Sequence, residues 1–225
     1  MVEGLTGSLV THHFAEQVLP TAFAGRLGEA SRERARRALR AWCRREGRSL
    51  GPASPLRAVF DLGAAPIVSL LGFSARRPRL AAAGGTLVAD AVSRAATVPL
   101  LVSPWGAPLD AFWNAVSREC LAGGGGWAFG FNGRSLRLYD SRRIHARDYL
   151  EIDLERAAEH PAACAVFWGV LRADALGSVT AEIIDSSARH GVAVTASLRE
   201  GVREALALFL QGLASAADRR ARLAQ

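Results

Sequence analysis

The sequence contains no lysine, so all 28 of its basic residues are arginine. This absence excludes a Walker-type phosphate loop, which requires a lysine, and every enzyme that forms a Schiff base on a lysine side chain. It also excludes any nuclease centre that depends on lysine. A GC-rich genome, which favours arginine codons, is the simplest cause, and the exclusions hold whatever the cause.

Cysteine and long apolar runs are also scarce. The three cysteines, Cys43, Cys120 and Cys164, lie far apart and form no CxxC pair, which indicates free thiols in a reducing compartment. No run of about 18 uncharged apolar residues suits a membrane span, and the N-terminus shows no leader pattern. We therefore expect a cytoplasmic protein with no membrane partner.

The 225 residues are 50% apolar and 22% charged, which is typical of a folded domain. Apolar periodicity and turn residues then divide the chain into helices and strands. Asn132-Gly133, between two apolar-rich runs, predicts a β-hairpin. Ser31 is the expected N-cap of an arginine-rich helix, and a turn is expected at residues 76–78. Helices are predicted at 9–23, 31–45, 56–71, 110–121, 162–171, 180–190 and 197–213, and strands at 86–93, 98–102, 127–131, 136–139 and 149–154.

This order of elements predicts an α+β fold. We expect a single domain with a mixed central sheet, flanked by N-terminal and C-terminal helices. Residues 1–80 form an N-terminal helical, arginine-rich segment in this interpretation. Residues 81–160 form the α/β core with the hairpin, and residues 161–225 form a C-terminal helical segment.

Positive charge is concentrated in one stretch. Between Arg26 and Arg57, ten arginines accompany three glutamates, so this stretch carries +7, which equals the net charge of the whole chain. Concentrated positive charge attracts polyanions such as DNA, although a solvated helix face would show the same pattern. The expected phosphate contacts are Arg32, Arg36, Arg37, Arg40, Arg44, Arg45, Arg134 and Arg137, with Arg76, Arg77 and Arg79 as secondary candidates.

The middle of the chain resembles a known family. Residues 127–153 combine an apolar strand, the Asn-Gly hairpin, an arginine-containing strand ending in Tyr139, and a further strand. This order is similar to the N-terminal region of large type IIG restriction–modification enzymes and to N-terminal domains of type I restriction subunits. Residues 104–110 (PWGAPLD) match the segment that follows the catalytic strand there. The resemblance implies a restriction-endonuclease-like fold of the PD-(D/E)xK kind.

In that family two carboxylates hold Mg²⁺ and a lysine assists the reaction. The resemblance implies that Asp90 corresponds to the metal-binding aspartate. Leu101 and Ser103 stand at the positions of the second carboxylate and the lysine. Leucine offers no oxygen to a metal and serine carries no positive charge, so Asp90 is a vestigial catalytic candidate. No cofactor is expected, and Mg²⁺ only if the chain is active; Asp110 and Glu119 are the nearest carboxylates that could substitute.

Three functions remain open on this basis. The first, which we expect, is a non-cleaving domain that binds double-stranded DNA as an accessory part of a bacterial restriction–modification or phage-defence system. Its partner would be a separately encoded methyltransferase or another defence subunit. The second is a protein-interaction module whose apolar C-terminal helix, with Leu206, Phe209, Leu210 and Leu213, either docks a partner or packs on its own core. The third is an active Mg²⁺-dependent DNA endonuclease with a rearranged centre.

Overall fold

The structure is a computed structural model that describes residues 2–81, 84–123, 125–143 and 145–223, of which residues 27 and 214–223 are described by backbone alone. The chain divides into two compact units, Met1–Ser187 and Ala188–Gln225. The first unit contains every described strand. The second belongs to the long C-terminal helix.

One mixed sheet forms the centre of the first unit. Its strand order is β1-β7-β6-β5-β4-β3-β2, and all neighbours are antiparallel except β4 and β5, which are parallel. The mixed α+β class predicted from the sequence is confirmed. The strands are β1 (Leu5–Gly7), β2 (Ser74–Leu80), β3 (Leu87–Val92), β4 (Thr97–Val102), β5 (Trp127–Phe131), β6 (Ser135–Asp140) and β7 (Tyr149–Asp153).

Helices precede, interrupt and follow the strands. Three of the helical stretches contain a wider π-helical turn, at Phe14–Val18, Cys43–Gly47 and Val59–Ala64. Short 3₁₀ turns lie at Leu109–Phe112 and Ser141–Arg143. The α-helices are α1 (Leu19–Ala22), α2 (Ala24–Leu27), α3 (Glu29–Trp42), α4 (Leu56–Ala58), α5 (Ala65–Leu70), α6 (Trp113–Gly123), α7 (Leu154–Glu159), α8 (Pro161–Leu171) and α9 (Ser178–Leu223).

The sheet is covered on both faces, because alternate residues of a strand point to opposite sides. Leu100 and Val102 of β4 belong to a large core cluster that also includes residues of α3, α5 and α8. Leu101, between them, belongs to a smaller cluster with Phe112 and residues of α6. The first unit is therefore a three-layer structure, with α6 and the 3₁₀ turn before it on one side of β4.

The predicted hairpin is confirmed. β5 and β6 pair antiparallel, and Gly133 takes a φ of +85° in the turn between them. The Asn132 side chain accepts hydrogen bonds from the backbone N–H groups of Arg134 and Ser135, which closes the turn. The last predicted strand is also present as β7, and its residues alternate between half-buried and buried.

Other local predictions were wrong. Ser31 is not the N-cap of α3, because the helix begins at Glu29 after Gly28, which has a φ of +62°. Residues 76–78 form part of strand β2 instead of a turn, although the register shifts between Arg76 and Arg79. The sequence did not predict strand β2 because its residues are polar and exposed, and an edge strand needs no buried face. The two C-terminal helices predicted separately are one helix, α9.

Candidate functional site

Asp90 lies on β3 and points toward α6. Its neighbours Ala89 and Ala91 belong to the large core cluster on the opposite face, so alternation places Asp90 on the α6 side of the sheet. β3 pairs with β4 in a register that sets Asp90 opposite Pro99 and Val88 opposite Leu101. The two strands that the resemblance assigns to the catalytic residues are therefore direct neighbours.

A second carboxylate comes close to Asp90, and an arginine joins the two. The guanidinium of Arg79, on β2, lies 2.6 Å from a carboxylate oxygen of Glu119 on α6. The same guanidinium lies 3.9 Å from the Asp90 carboxylate. Both carboxylates are mostly buried, with side-chain exposures of 24% for Asp90 and 21% for Glu119. The cation that balances this acidic pair is therefore Arg79.

The resemblance expects a second carboxylate at Leu101 and a lysine at Ser103, and neither residue carries such a group. Leu101 is fully buried among apolar side chains of the smaller cluster. Ser103 is also buried, and its backbone N–H donates to the Phe131 carbonyl oxygen at 2.9 Å. Across the described part of the chain, no group of three or more His, Cys, Asp or Glu side chains is arranged to hold a metal ion.

The arginines of α3 and the following π-helical turn divide into two sets. One set is exposed; its members are separated by three, four or seven residues except for one adjacent pair, so they share one broad side of the helical stretch. Within the described residues, no ion pair involves these side chains except a 3.9 Å contact between Arg45 and Glu46. We call this set the arginine row. Its members are Arg34, Arg37, Arg44, Arg45 and Arg48.

The other set faces the protein. Arg36 forms a 3.0 Å salt bridge with Glu33, and Arg40 donates to the Ala158 carbonyl oxygen at 2.8 Å. Arg32, which is half-buried, contributes with Arg36 and Arg40 to the electrostatic field at Cys164 in α8. Arg40 therefore links α3 to α7, and all three arginines are less exposed than the arginine row, which makes them weaker candidates for phosphate contact.

Arg137, one of the expected phosphate contacts, is buried and paired with two carboxylates. Its side chain is only 5% exposed and forms salt bridges with Asp110 at 2.7 Å and with Glu151 at 2.5 Å. Its guanidinium also lies 4.0 Å from the centre of the Tyr149 ring. Burial alone lowers the pKa of Arg137, but the hydrogen bond to Asp110 and the other contacts outweigh this effect and raise it. Arg137 is a structural residue because its charge is buried and balanced.

Arg134 is exposed on the hairpin turn and meets the arginine row at a small pocket. Its guanidinium lies 5.6 Å from the centre of the Trp105 ring. The pocket, about 120 Å³ in volume, is lined by Arg134 and Trp105 on one side and by Trp42, Cys43 and Arg48 on the other. Arg48 and Arg134 therefore reach the same opening, although Asp153 and Glu155 also line it.

The cysteines are free thiols and have little nucleophilic character. Burial, reinforced by Glu155 and Asp153, raises the pKa of Cys43 to about 11. Burial also raises the pKa of Cys164 to about 11 and raises that of Cys120. Because the thiolate is the reactive form, a pKa this high disfavours covalent catalysis at neutral pH.

Sequence reasoning named Glu119 as a carboxylate that could join Asp90, but it did not connect Arg79 with either of them. The position of Arg79 on the strand next to the one that carries Asp90 could have suggested this contact. Arg34 and Arg48 were also missing from the expected contacts, although their spacing from Arg37 and Arg44 is helical.

No family model, no curated protein and no solved structure matches this chain. Among the described helices, none has the length and apolar character needed to cross a membrane.

Proposed function

We propose that this chain is a non-cleaving, nuclease-like domain that binds the phosphate backbone of double-stranded DNA. The observation that carries the proposal is the arginine row: five exposed arginines on one broad side of the helical stretch, with no carboxylate closer than 3.9 Å among the described ion pairs. Guanidinium groups without a close carboxylate partner suit regularly spaced phosphates, which they can bind without reading sequence. Arg134, at the pocket shared with Arg48, extends the positive surface to the hairpin.

The arrangement around Asp90 supports the absence of cleavage. Mg²⁺ prefers carboxylate oxygens, substrate oxygens and water, and it would have to displace the guanidinium of Arg79 to reach Asp90 and Glu119. Leu101 and Ser103 supply neither a carboxylate nor a positive charge. The resemblance to restriction enzymes suggests an accessory role in a bacterial restriction–modification or phage-defence system, beside a separately encoded methyltransferase or other subunit.

DNA binding is tested by fluorescence anisotropy with a labelled duplex at about 50 and about 200 mM salt. The test variant combines Arg37→Glu, Arg44→Glu and Arg48→Glu. Each phosphate contact contributes about 0.9 to the slope of log K against log salt, so removing three should lower that slope by about three. The matched control combines Arg94→Glu, Arg118→Glu and Arg189→Glu, which are exposed arginines outside the row.

The control undergoes the same change of net charge, so it isolates the position of the charge from its amount. We expect the control to bind DNA with nearly the wild-type slope. Equal loss in both variants would contradict the arginine row as a binding surface. No binding by the wild-type protein at low salt would contradict DNA binding altogether.

An active endonuclease with a rearranged centre is the alternative that Asp90 and Glu119 keep open, because both carboxylates lie within 3.9 Å of one guanidinium. It predicts Mg²⁺-dependent cutting that Asp90→Ala abolishes. The proposed function predicts no cutting, and DNA binding by Asp90→Ala equal to that of the wild type.

A further inference from the structure

The second compact unit exposes an apolar stripe. At 3.6 residues per turn, Val192, Leu198, Val202, Leu206, Phe209, Leu210 and Leu213 fall within about one third of the circumference of α9. Each of these side chains is between 53% and 71% exposed. The described residues elsewhere contain three other exposed large apolar side chains, Leu62, Leu80 and Leu121, besides Leu208 on the opposite side of α9. The stripe therefore lacks the packing that its composition would normally receive.

The side chains of the stripe become larger toward the C-terminal end of the helix. Its N-terminal half carries small residues and shallow depressions, one lined by Ala188, Val192 and Thr195 and the next by Thr195, Leu198 and Val202. Its C-terminal half carries large side chains, chiefly Leu206, Phe209 and Leu213. A second copy that ran in the same direction would place large against large and small against small. A copy that ran in the opposite direction would place large side chains over the depressions.

We propose that the apolar stripe of α9 pairs with the same stripe of a second copy of this chain, in an antiparallel, two-fold helix pair. In that pair Leu206 faces Thr195 of the other copy, Phe209 faces Val192, and Leu213 faces Ala188. Large and small side chains then alternate across the interface and keep the helix separation even. An isologous contact of this kind closes on itself and forms a dimer.

The size of the stripe fits a dimer. Seven side chains, each exposing on the order of 100 Å² of apolar surface, give roughly 700 Å² per copy. A standard interface buries about 800 Å² on each partner, so two stripes suffice for a stable contact. Arg199 lies within the stripe and lines both depressions, so in the pair it faces Val202 of the other copy. Its aliphatic stem can pack there while the guanidinium reaches solvent. Arg203 is already paired with Glu200 of its own helix at 3.4 Å.

The mass of the full-length protein in solution, measured by sedimentation velocity, tests the dimer. Leu206→Glu places a charge in the interface of each copy and should weaken dimerisation by roughly 100-fold or more. Leu208→Glu is the matched control, because Leu208 is the same residue type, is 69% exposed and lies on the opposite side of the helix. Phe209→Glu repeats the test at a second stripe position.

We expect wild type and Leu208→Glu to be dimers, and Leu206→Glu and Phe209→Glu to be monomers with unchanged circular dichroism. A wild-type monomer at about 100 μM would overturn the proposal, since a contact of this size should hold at that concentration. Equal disruption by Leu208→Glu would also overturn it.

Disulfide trapping tests the direction of the pair. The variant Val192→Cys with Phe209→Cys should form cross-linked dimers on oxidation, because residue 192 of one copy faces residue 209 of the other. Val192→Cys alone should not, since the two copies of residue 192 lie about 26 Å apart along an antiparallel pair. Efficient cross-linking by Val192→Cys alone would overturn the antiparallel arrangement. The wild-type protein, whose native cysteines are Cys43, Cys120 and Cys164, is the control.

Discussion

Arg137 offers the sharpest test of how the sheet is held together. Replacing Arg137 with alanine leaves Glu151, whose side chain is 20% exposed, without its cation in a mostly buried position. Breaking a buried ion pair by removing one partner costs about 3–5 kcal/mol. The lower value applies here, because Asp110, the other carboxylate, is 69% exposed and can be hydrated. We therefore expect Arg137→Ala to lower the free energy of unfolding by about 3 kcal/mol.

Urea denaturation followed by circular dichroism measures this loss. For a unit of this size, a loss of about 3 kcal/mol corresponds to a melting temperature lower by about 6–12 °C. Arg134→Ala is the matched control, because Arg134 lies three residues away and is exposed, and among the described residues its side chain makes only the 5.6 Å contact with Trp105. That contact is worth about 0.5–1 kcal/mol at an exposed site.

The opposite result would refute this reasoning. If Arg137→Ala unfolds within about 1 kcal/mol of the wild type, then the two salt bridges contribute no more than surface pairs do. If Arg137→Ala folds normally but loses DNA affinity, then Arg137 is a phosphate contact after all. A stable Arg134→Ala with weaker DNA binding would agree with the proposed function.

Two further predictions follow from the hairpin and the thiols. Gly133→Ala should destabilise the fold by about 1–2 kcal/mol more than Gly106→Ala. Both positions have a positive φ, but only at Gly133 would the new Cβ meet Trp105, at 2.5 Å. Urea unfolding of the two variants measures the difference, and equal losses of stability would contradict the close contact. The raised pKa values of Cys43 and Cys164, about 11 in the fold, mean that the unfolded chain loses these protons first as pH rises above about 9. Stability should therefore fall between pH 9 and pH 11, and Cys164→Ala should make that fall shallower; an unchanged pH dependence would contradict burial of this thiol.

Local patterns in the sequence were sufficient for much of the fold. The hairpin was predictable from Asn132 and Gly133 between two apolar runs, because Gly133 takes a positive φ that few residues adopt and Asn132 closes the turn with its side chain. Strand β7 was predictable because its alternation of apolar and charged residues matches a strand with one buried face. Strand β2 was missed for the opposite reason, since an exposed edge strand carries no such alternation.

The candidate site depended on contacts that local patterns do not contain. Arg79 and Glu119 are separated by 40 residues in the chain. They meet because the Arg79 side chain of β2 extends from the face of the sheet on which α6 packs. Spacing likewise could not distinguish Arg137, which is buried against two carboxylates, from Arg134, which is exposed three residues earlier. A side chain's freedom to bind phosphate depends on its partners, and partners come from distant parts of the chain.

By itself, then, the sequence determined the α+β class, the hairpin, the absence of lysine chemistry and the concentration of positive charge before residue 58. Only the tertiary structure decided which arginines are exposed, which cation balances Asp90, and that the apolar stripe of α9 lies in solvent. The reason is physical: periodicity and turn propensity act between near neighbours, whereas burial and charge pairing depend on how distant segments pack.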